Sequence, residues 1–264
     1  MKLRIASLIC ALLSVSAAHA NSPFSGNLAL TSDYLFRGLS QTWGKPALQG
    51  GVDYNAGRFH TGVWASNVSH NSYPGGGVEV DAFTDFAILQ HGDWSARVGL
   101  YSYSYPGANL DHARPPLPSR SLDTLEANLS LTWESWTLKY SRALSDYFGA
   151  DAEQGFGHGT RGTDYLQLDG DVPLSPRWGL HLHAGRTHYA SKLLAPVPGD
   201  ARNPGYADYS LAANYAFNPH WLLAAALSHV TNDAFYSHVA SFTDSSAQEN
   251  LGGTRAVLSL STTF

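Results

Sequence analysis

The sequence predicts an all-β fold, a closed antiparallel transmembrane β-barrel of about 12 strands with short periplasmic turns and long extracellular loops. Three observations predict it. Apolar and polar residues alternate over many stretches of similar length, the connections between those stretches are short and long by turns, and aromatic residues follow the short connections at a nearly constant spacing.

The alternation is clearest at the end of the chain. Ala256, Leu258, Leu260, Thr262 and Phe264 fall on one face of an extended segment, and Arg255, Val257, Ser259, Ser261 and Thr263 on the other. Leu125, Ala127, Leu129, Leu131 and Trp133 oppose Glu126, Asn128, Ser130 and Thr132 in the same way. Successive side chains of a strand point to opposite faces, so this pattern makes one apolar and one polar face. Strands are expected at 26–37, 46–55, 59–67, 77–90, 94–105, 122–133, 136–145, 163–173, 178–188, 207–217, 221–231 and 254–264. A tilted membrane strand needs about 9–11 residues, whereas strands of soluble proteins are usually about 5–6. Most of the expected strands have the membrane length.

Tight connections fall at Ala56-Gly57, His91-Gly92-Asp93, Glu134-Ser135, Leu174 to Arg177 and Asn218-Pro219-His220. The longer ones are 38–45, 68–76, 106–121, 146–162, 189–206 and 232–253. Trp94, Trp136, Trp178 and Trp221 each follow a tight turn, at intervals of 42, 42 and 43 residues. Phe59 holds the equivalent earlier place, and Trp133 and Phe264 end strands at the same level. Rings with an apolar body and a wettable edge favour a membrane–water interface, so these seven residues are the expected periplasmic girdle. A period near 42 also raises a β-propeller, but each repeat here holds two long strands and a long loop rather than four short strands.

Composition fits the same picture. Charged residues make up 14% of the 264, below the roughly 25% of an average soluble domain, and the mean hydropathy is −0.19. Residues 1–20 read as a cleaved signal peptide: Lys2 and Arg4 precede an apolar run from Ile5 to Val15, and Ala18-His19-Ala20 offers a small-x-small cleavage site. The barrel is then expected over 21–264. Cleavage leaves 14 basic and 21 acidic residues, a net charge of −7, which argues against nucleic acid as a partner. The sole cysteine, Cys10, lies in the leader, so the mature chain is expected to have no disulfide, no thiolate metal site and no Cys nucleophile. No cofactor is expected.

The apolar face has no helix to cover it and no second apolar layer. Closure into a barrel with lipid outside resolves both problems and removes the sheet edges. The polar face then lines the interior, where the alternation places Asp33, Arg37, Asp53, Trp64, Glu79, Asp81, Asp85, Arg97, Tyr101, Glu126, Lys139, Asp169, Asp171, His181, His183 and Arg255 as the expected lumen. Carboxylates facing lipid would be costly, so their shared phase supports a polar interior. With Asp208, nine acids stand there against four bases, Arg37, Arg97, Lys139 and Arg255. The same residues also fit a barrel in which charges pair with one another and fill the space. His181 and His183, two apart on one strand, lack a visible third metal ligand. Gly157-His158-Gly159-Thr160-Arg161-Gly162 has the letters of a dinucleotide loop but no βαβ context. His70 and Ser72 have the spacing of an outer-membrane phospholipase pair, yet Tyr73 stands where an Asn would follow. No catalytic residue and no enzyme activity are expected.

The chain resembles the TorF-type outer-membrane porin family. The resemblance is carried by Gly26-Asn27-Leu28, Ser32-Asp33-Tyr34, Phe36-Arg37-Gly38 and Ser40-Gln41, then by Lys45 to Gly51 with Asp53-Tyr54, and by Gly62 to Val68. Tyr105-Pro106-Gly107, Asp146 to Gly149 and the terminal Phe264 match further on. It implies a barrel of about twelve strands, a channel role, and recognition of the strand ending in Phe264 by the barrel-assembly machinery. The expected partners are that machinery, outer-membrane lipid and small solutes. The expected function is passive diffusion of small hydrophilic solutes with a mild preference for cations. The alternatives are a closed structural or surface-interaction barrel acting through its extracellular loops and, less favoured, a membrane hydrolase.

Overall fold

The computed structural model describes residues 22–194 and 203–264; the expected signal peptide over 1–20 lies outside the described residues. Twelve strands form the wall. They are β1 (Phe24–Thr31), β2 (Ala47–Ala56), β3 (Phe59–Asn67), β4 (Val78–His91), β5 (Trp94–Ser104), β6 (Thr124–Trp133), β7 (Trp136–Ala143), β8 (Asp164–Pro173), β9 (Trp178–His188), β10 (Tyr206–Ala216), β11 (Trp221–Val230) and β12 (Gly253–Thr263). Each pairs antiparallel with its neighbours in sequence, and β1 pairs with β12 to close the ring. At the seam the Gly26 N–H donates to the Phe264 carbonyl at 2.7 Å and the Phe264 N–H to the Gly26 carbonyl at 3.0 Å. Closure leaves no unpaired sheet edge.

The two faces of the wall are inverted relative to a soluble protein. Leu28, Leu48, Val63, Leu211 and Leu258 stay exposed on the outside, between 48% and 64%. Glu79, Glu126, Gln167 and Asp208 are at most 2% exposed inside. A continuous exposed apolar surface of this kind is an interaction surface by physical necessity. Between Ala87 and Leu89 the register slips by one residue, a bulge that lets Ile88 and Leu89 both face outward.

The first strand is shorter than the alternation predicts: the wall ends at Thr31 and does not continue to Arg37. Residues 32–46 leave the barrel rim and fold inward, with a small antiparallel pair, Leu35–Phe36 against Leu39–Ser40, at their tip. The local chemistry explains the departure. Asp33 Oδ1 accepts the hydroxyls of Ser40 at 2.6 Å and Thr42 at 2.9 Å, and Arg37 and Gly38 turn the chain at positive φ. Side-chain bonds of this kind compete directly with a strand ladder. The other boundaries differ from expectation by no more than two residues, within ordinary fraying of element ends.

The loops after β3, β5 and β11 knit into a lid over the same end. The Asn109 N–H donates to Pro74 O, Phe242 N–H to Asn71 O, Arg114 N–H to Phe242 O and Ser40 N–H to Leu251 O, all between 2.7 and 2.9 Å. The loop after β11 carries a single helical turn, α1 (Asp233–Tyr236), and a two-residue strand pair, Val239–Ala240 with Gln248–Glu249.

Inside the wall, Gly62 lies beneath the Phe83 ring; a Cβ there would come 2.5 Å from a ring carbon and 2.9 Å from Val52 O. Gly62→Val is expected to cost about 1–3 kcal/mol by overpacking. The check is a lower temperature for the shift from folded to unfolded mobility in detergent gels.

Candidate functional site: an inward-folded segment above a charged lumen

Arg37 is the tip of the inward segment. It is buried at 4% exposure, and its guanidinium donates to Glu126 Oε2 on β6 at 2.8 Å and to the Tyr147 hydroxyl at 2.8 Å. Its Cζ lies 4.2 Å from the Tyr165 ring centroid on β8 and 4.8 Å from that of Phe36. One side chain thus ties the segment to the wall through an ion pair and cation–π contacts. Burial pushes the Tyr147 phenol above its ordinary range and that of Tyr189 up to about 12, so both remain neutral hydrogen-bonding groups at neutral pH.

Around this anchor the long-loop half of the barrel is filled. Tyr34, Trp64, Tyr73, Phe83, Tyr103 and Tyr105 form one buried cluster, with Phe36, Tyr101 and Phe148 packed against it. Tyr73 stacks on Tyr105 at 4.1 Å, and Phe83 on Tyr101 at 5.1 Å. Glu79 and Asp81 on β4 are buried at 0% and 3% exposure beside this cluster. Arg255 on β12 donates to Asp33 Oδ2 at 3.0 Å and fixes the start of the inward segment. Asp33 and Arg37 therefore belong to the segment and not to the wall, for the reason given above, although both remain inside.

The other half of the barrel is polar and less tightly filled. His60 on β3 bridges Asp53 (Nε2 to Oδ1, 3.0 Å) and Asp85 (Nδ1 to Oδ2, 2.8 Å), and Asp85 also receives the Arg97 guanidinium. Across the lumen, His183 bridges Asp169 (2.6 Å) and Asp208 (2.7 Å), while His181 meets Asp171 at 3.0 Å and Asp169 at 3.6 Å. The Tyr165 hydroxyl donates to Asp208 at 3.0 Å. A neutral imidazole carries one N–H, so a ring with a carboxylate on each nitrogen needs a proton on both. Lys139 on β7 lies 5.4 Å from the Tyr101 ring centroid. The carboxylates, the imidazoles and Arg97 form a ladder of paired charges along the wall. No group of three or more His, Cys, Asp or Glu among the described residues has metal-holding geometry.

Phe59, Trp94, Trp133, Trp136, Trp178, Trp221 and Phe264 all project outward at the short-turn end, between 36% and 63% exposed. Trp94 stacks on Trp133 at 5.7 Å across β5 and β6. The Gly157–Gly162 stretch lies in the loop between β7 and β8, where the Thr160 N–H donates to Asp146 Oδ1 at 2.8 Å. Ser72 accepts the Trp43 indole N–H at 2.7 Å.

The family model that matches residues 17–264 is described as "Bacterial protein of unknown function (Gcw_chp)". The chain belongs to this family. A comparison with curated protein sequences found no match. Among solved structures the fold is similar to that of a NanC porin, at TM-score 0.52 and 8% identity, over 90% of this chain and 98% of that one. It is also similar to a KdgM porin, at TM-score 0.51 and 7% identity, over 91% of this chain and 99% of that one. At such identities the likeness is one of fold.

Sequence reasoning did not single out His60, although its parity with Gly62 and Trp64 placed it on the inner face. The Arg37 anchor had no sequence signal as an anchor, because Glu126 lies 89 residues away. Arg37→Ala leaves Glu126 buried without its partner and is expected to cost about 3–5 kcal/mol. The double variant Arg37→Met with Glu126→Gln is expected to recover part of that loss, read from thermal unfolding in detergent.

Proposed function

We infer that this chain is a bacterial outer-membrane barrel of the porin kind, described here in a closed state, that passes small hydrophilic solutes when the 32–46 segment withdraws from the lumen. The observation that carries this reading is the inverted barrel: an apolar outer wall enclosing an interior of carboxylates, imidazoles and guanidiniums. Only a bilayer satisfies the outside of such a wall, and only water or counter-ions suit the inside. The fold likeness to two proteins described as porins and the resemblance to the TorF-type family support it. Export by the N-terminal leader, the aromatic girdle and assembly through the final strand belong to the same reading.

Nine interior carboxylates outnumber the four Lys and Arg residues together with the imidazoles of His60, His181 and His183 that stand among them, which favours cations, since wall charges of one sign concentrate counter-ions. A second reading has its own observation. The buried aromatic layer around Arg37 leaves no wide passage at that level, which favours a sealed barrel that acts through its loops.

Planar-bilayer recording separates the two. The folded chain is expected to give small, infrequent conductance steps, and Arg37→Ala and Glu126→Gln to give larger or more frequent ones. Under a KCl gradient the reversal potential is expected to lie toward that of potassium, and Asp53→Asn with Asp169→Asn to move it toward zero. Folded wild type and both anchor variants that all fail to conduct would establish the sealed barrel instead.

A further inference from the structure

The barrel strands contain five Lys and Arg residues among those described, and three of them turn inward: Arg97 to Asp85, Lys139 to the Tyr101 ring and Arg255 to Asp33. The other two, Arg142 on β7 and Arg186 on β9, face outward and are exposed. Both sit at the loop-bearing end of their strands, with β8 alone between them: Arg142 pairs in register with Asp164, and Arg186 with Leu166. Arg142 is 3.5 Å from the Tyr140 hydroxyl and also feels the attraction of Asp164 beside it, and Arg186 has no side-chain hydrogen bond or ion pair among the described residues. Asp164 between them is engaged by His188 at 3.1 Å.

Beside Arg186 the outer wall is grooved. Leu138, Leu166, Leu168 and Tyr209 stand around the small residue Ala184 in its apolar lower part, Arg186 lines its middle, His188, Asn203 and Thr231 line its polar part toward the loops, and the whole encloses about 520 Å³. Its small floor follows from the register: Ala184 lies between Leu168 and Tyr209 in one row, and Arg186 between Leu166 and Ala207 in the next.

A guanidinium on the lipid-facing side of a membrane strand is costly except at headgroup depth, where an anion can meet it. Guanidinium groups bind phosphate through two parallel hydrogen bonds. An apolar groove running toward the membrane interior from that point suits an acyl chain. We propose that Arg142, Arg186 and the groove beneath them form a binding site for a phosphorylated glycolipid bearing several acyl chains, the chemistry of the outer leaflet. The phosphate is held by the two guanidiniums, and one acyl chain lies over Ala184 between Leu168 and Tyr209. This site rests on the outer-membrane reading and adds a defined lipid, at one sector of the wall, to it.

The test is native mass spectrometry of the folded full-length barrel in detergent, with diphosphorylated lipid A and its dephosphorylated form as probes. Wild type is expected to retain the phosphorylated probe. Arg142→Ala with Arg186→Ala is expected to weaken it about tenfold, the loss of one charge-assisted contact or more, while Arg142→Lys with Arg186→Lys keeps most of it. Ala184→Leu is expected to weaken it by filling the groove. Because the substituted side chains are exposed or at the groove surface, an unchanged heat shift in gels certifies each variant's fold. Equal retention of the two probes by wild type, or equal retention by wild type and the double alanine variant, overturns the site. A chain that folds and stays monomeric without detergent overturns the membrane reading itself, which is a separate outcome.

Discussion

The closed hydrogen-bond ring is the constraint on which everything else depends. Every barrel strand donates to and accepts from two neighbours, and the β1–β12 seam completes the circuit. A wall with both edges paired can hold apolar side chains outside and charged ones inside without exposing a strand edge. The same ring fixes the phase of every residue. One register slip would exchange the two faces, so Leu258 and Arg255 are held to their sides by closure as much as by their own preferences.

Filling the interior is a second problem, and the chain solves its two halves differently. Below the inward segment, imidazoles stand between carboxylates, so that charge is compensated along the wall and the lumen retains accessible polar groups. Near the long loops, the 32–46 segment enters and brings aromatic rings and Arg37 with it. A buried ion pair contributes little net stability over a well-packed apolar substitute, yet breaking it by removing one partner is costly. Arg37 and Glu126 therefore specify where the segment docks more than they stabilise the barrel. A polar anchor is also one that can be released, since water and counter-ions can replace its contacts, whereas a purely apolar plug of the same size would resist hydration. That asymmetry makes the closed state compatible with a transport role.

The outer wall is not uniform around its circumference. Its apolar belt is broken by a pair of arginines at one rim, above a sector where small side chains thin the surface. These exposed guanidiniums are the only Lys or Arg side chains on the outer face of the described strands, and this local departure from the belt is what singles out the sector.

Alternation alone determined the strand count, nearly all strand limits, the side of each wall residue and the level of the aromatic residues at the short-turn end, because a period of two is a local property and closure merely enforces it. It assigned Asp33 and Arg37 to the wall because the residues before them alternate and nothing in the local pattern announces a departure. Ser40 and Thr42, which draw Asp33 away from the ladder, signal a turn only once the chain is seen to double back. Tertiary structure alone decided that 32–46 points inward, that Arg37 meets Glu126 and Tyr165, that His60 and His183 each join carboxylates from neighbouring strands, and that Arg142 and Arg186 share one sector. Those are encounters between residues far apart in the chain. Their distances are set by the circumference of the barrel and by loop docking, which no local period encodes.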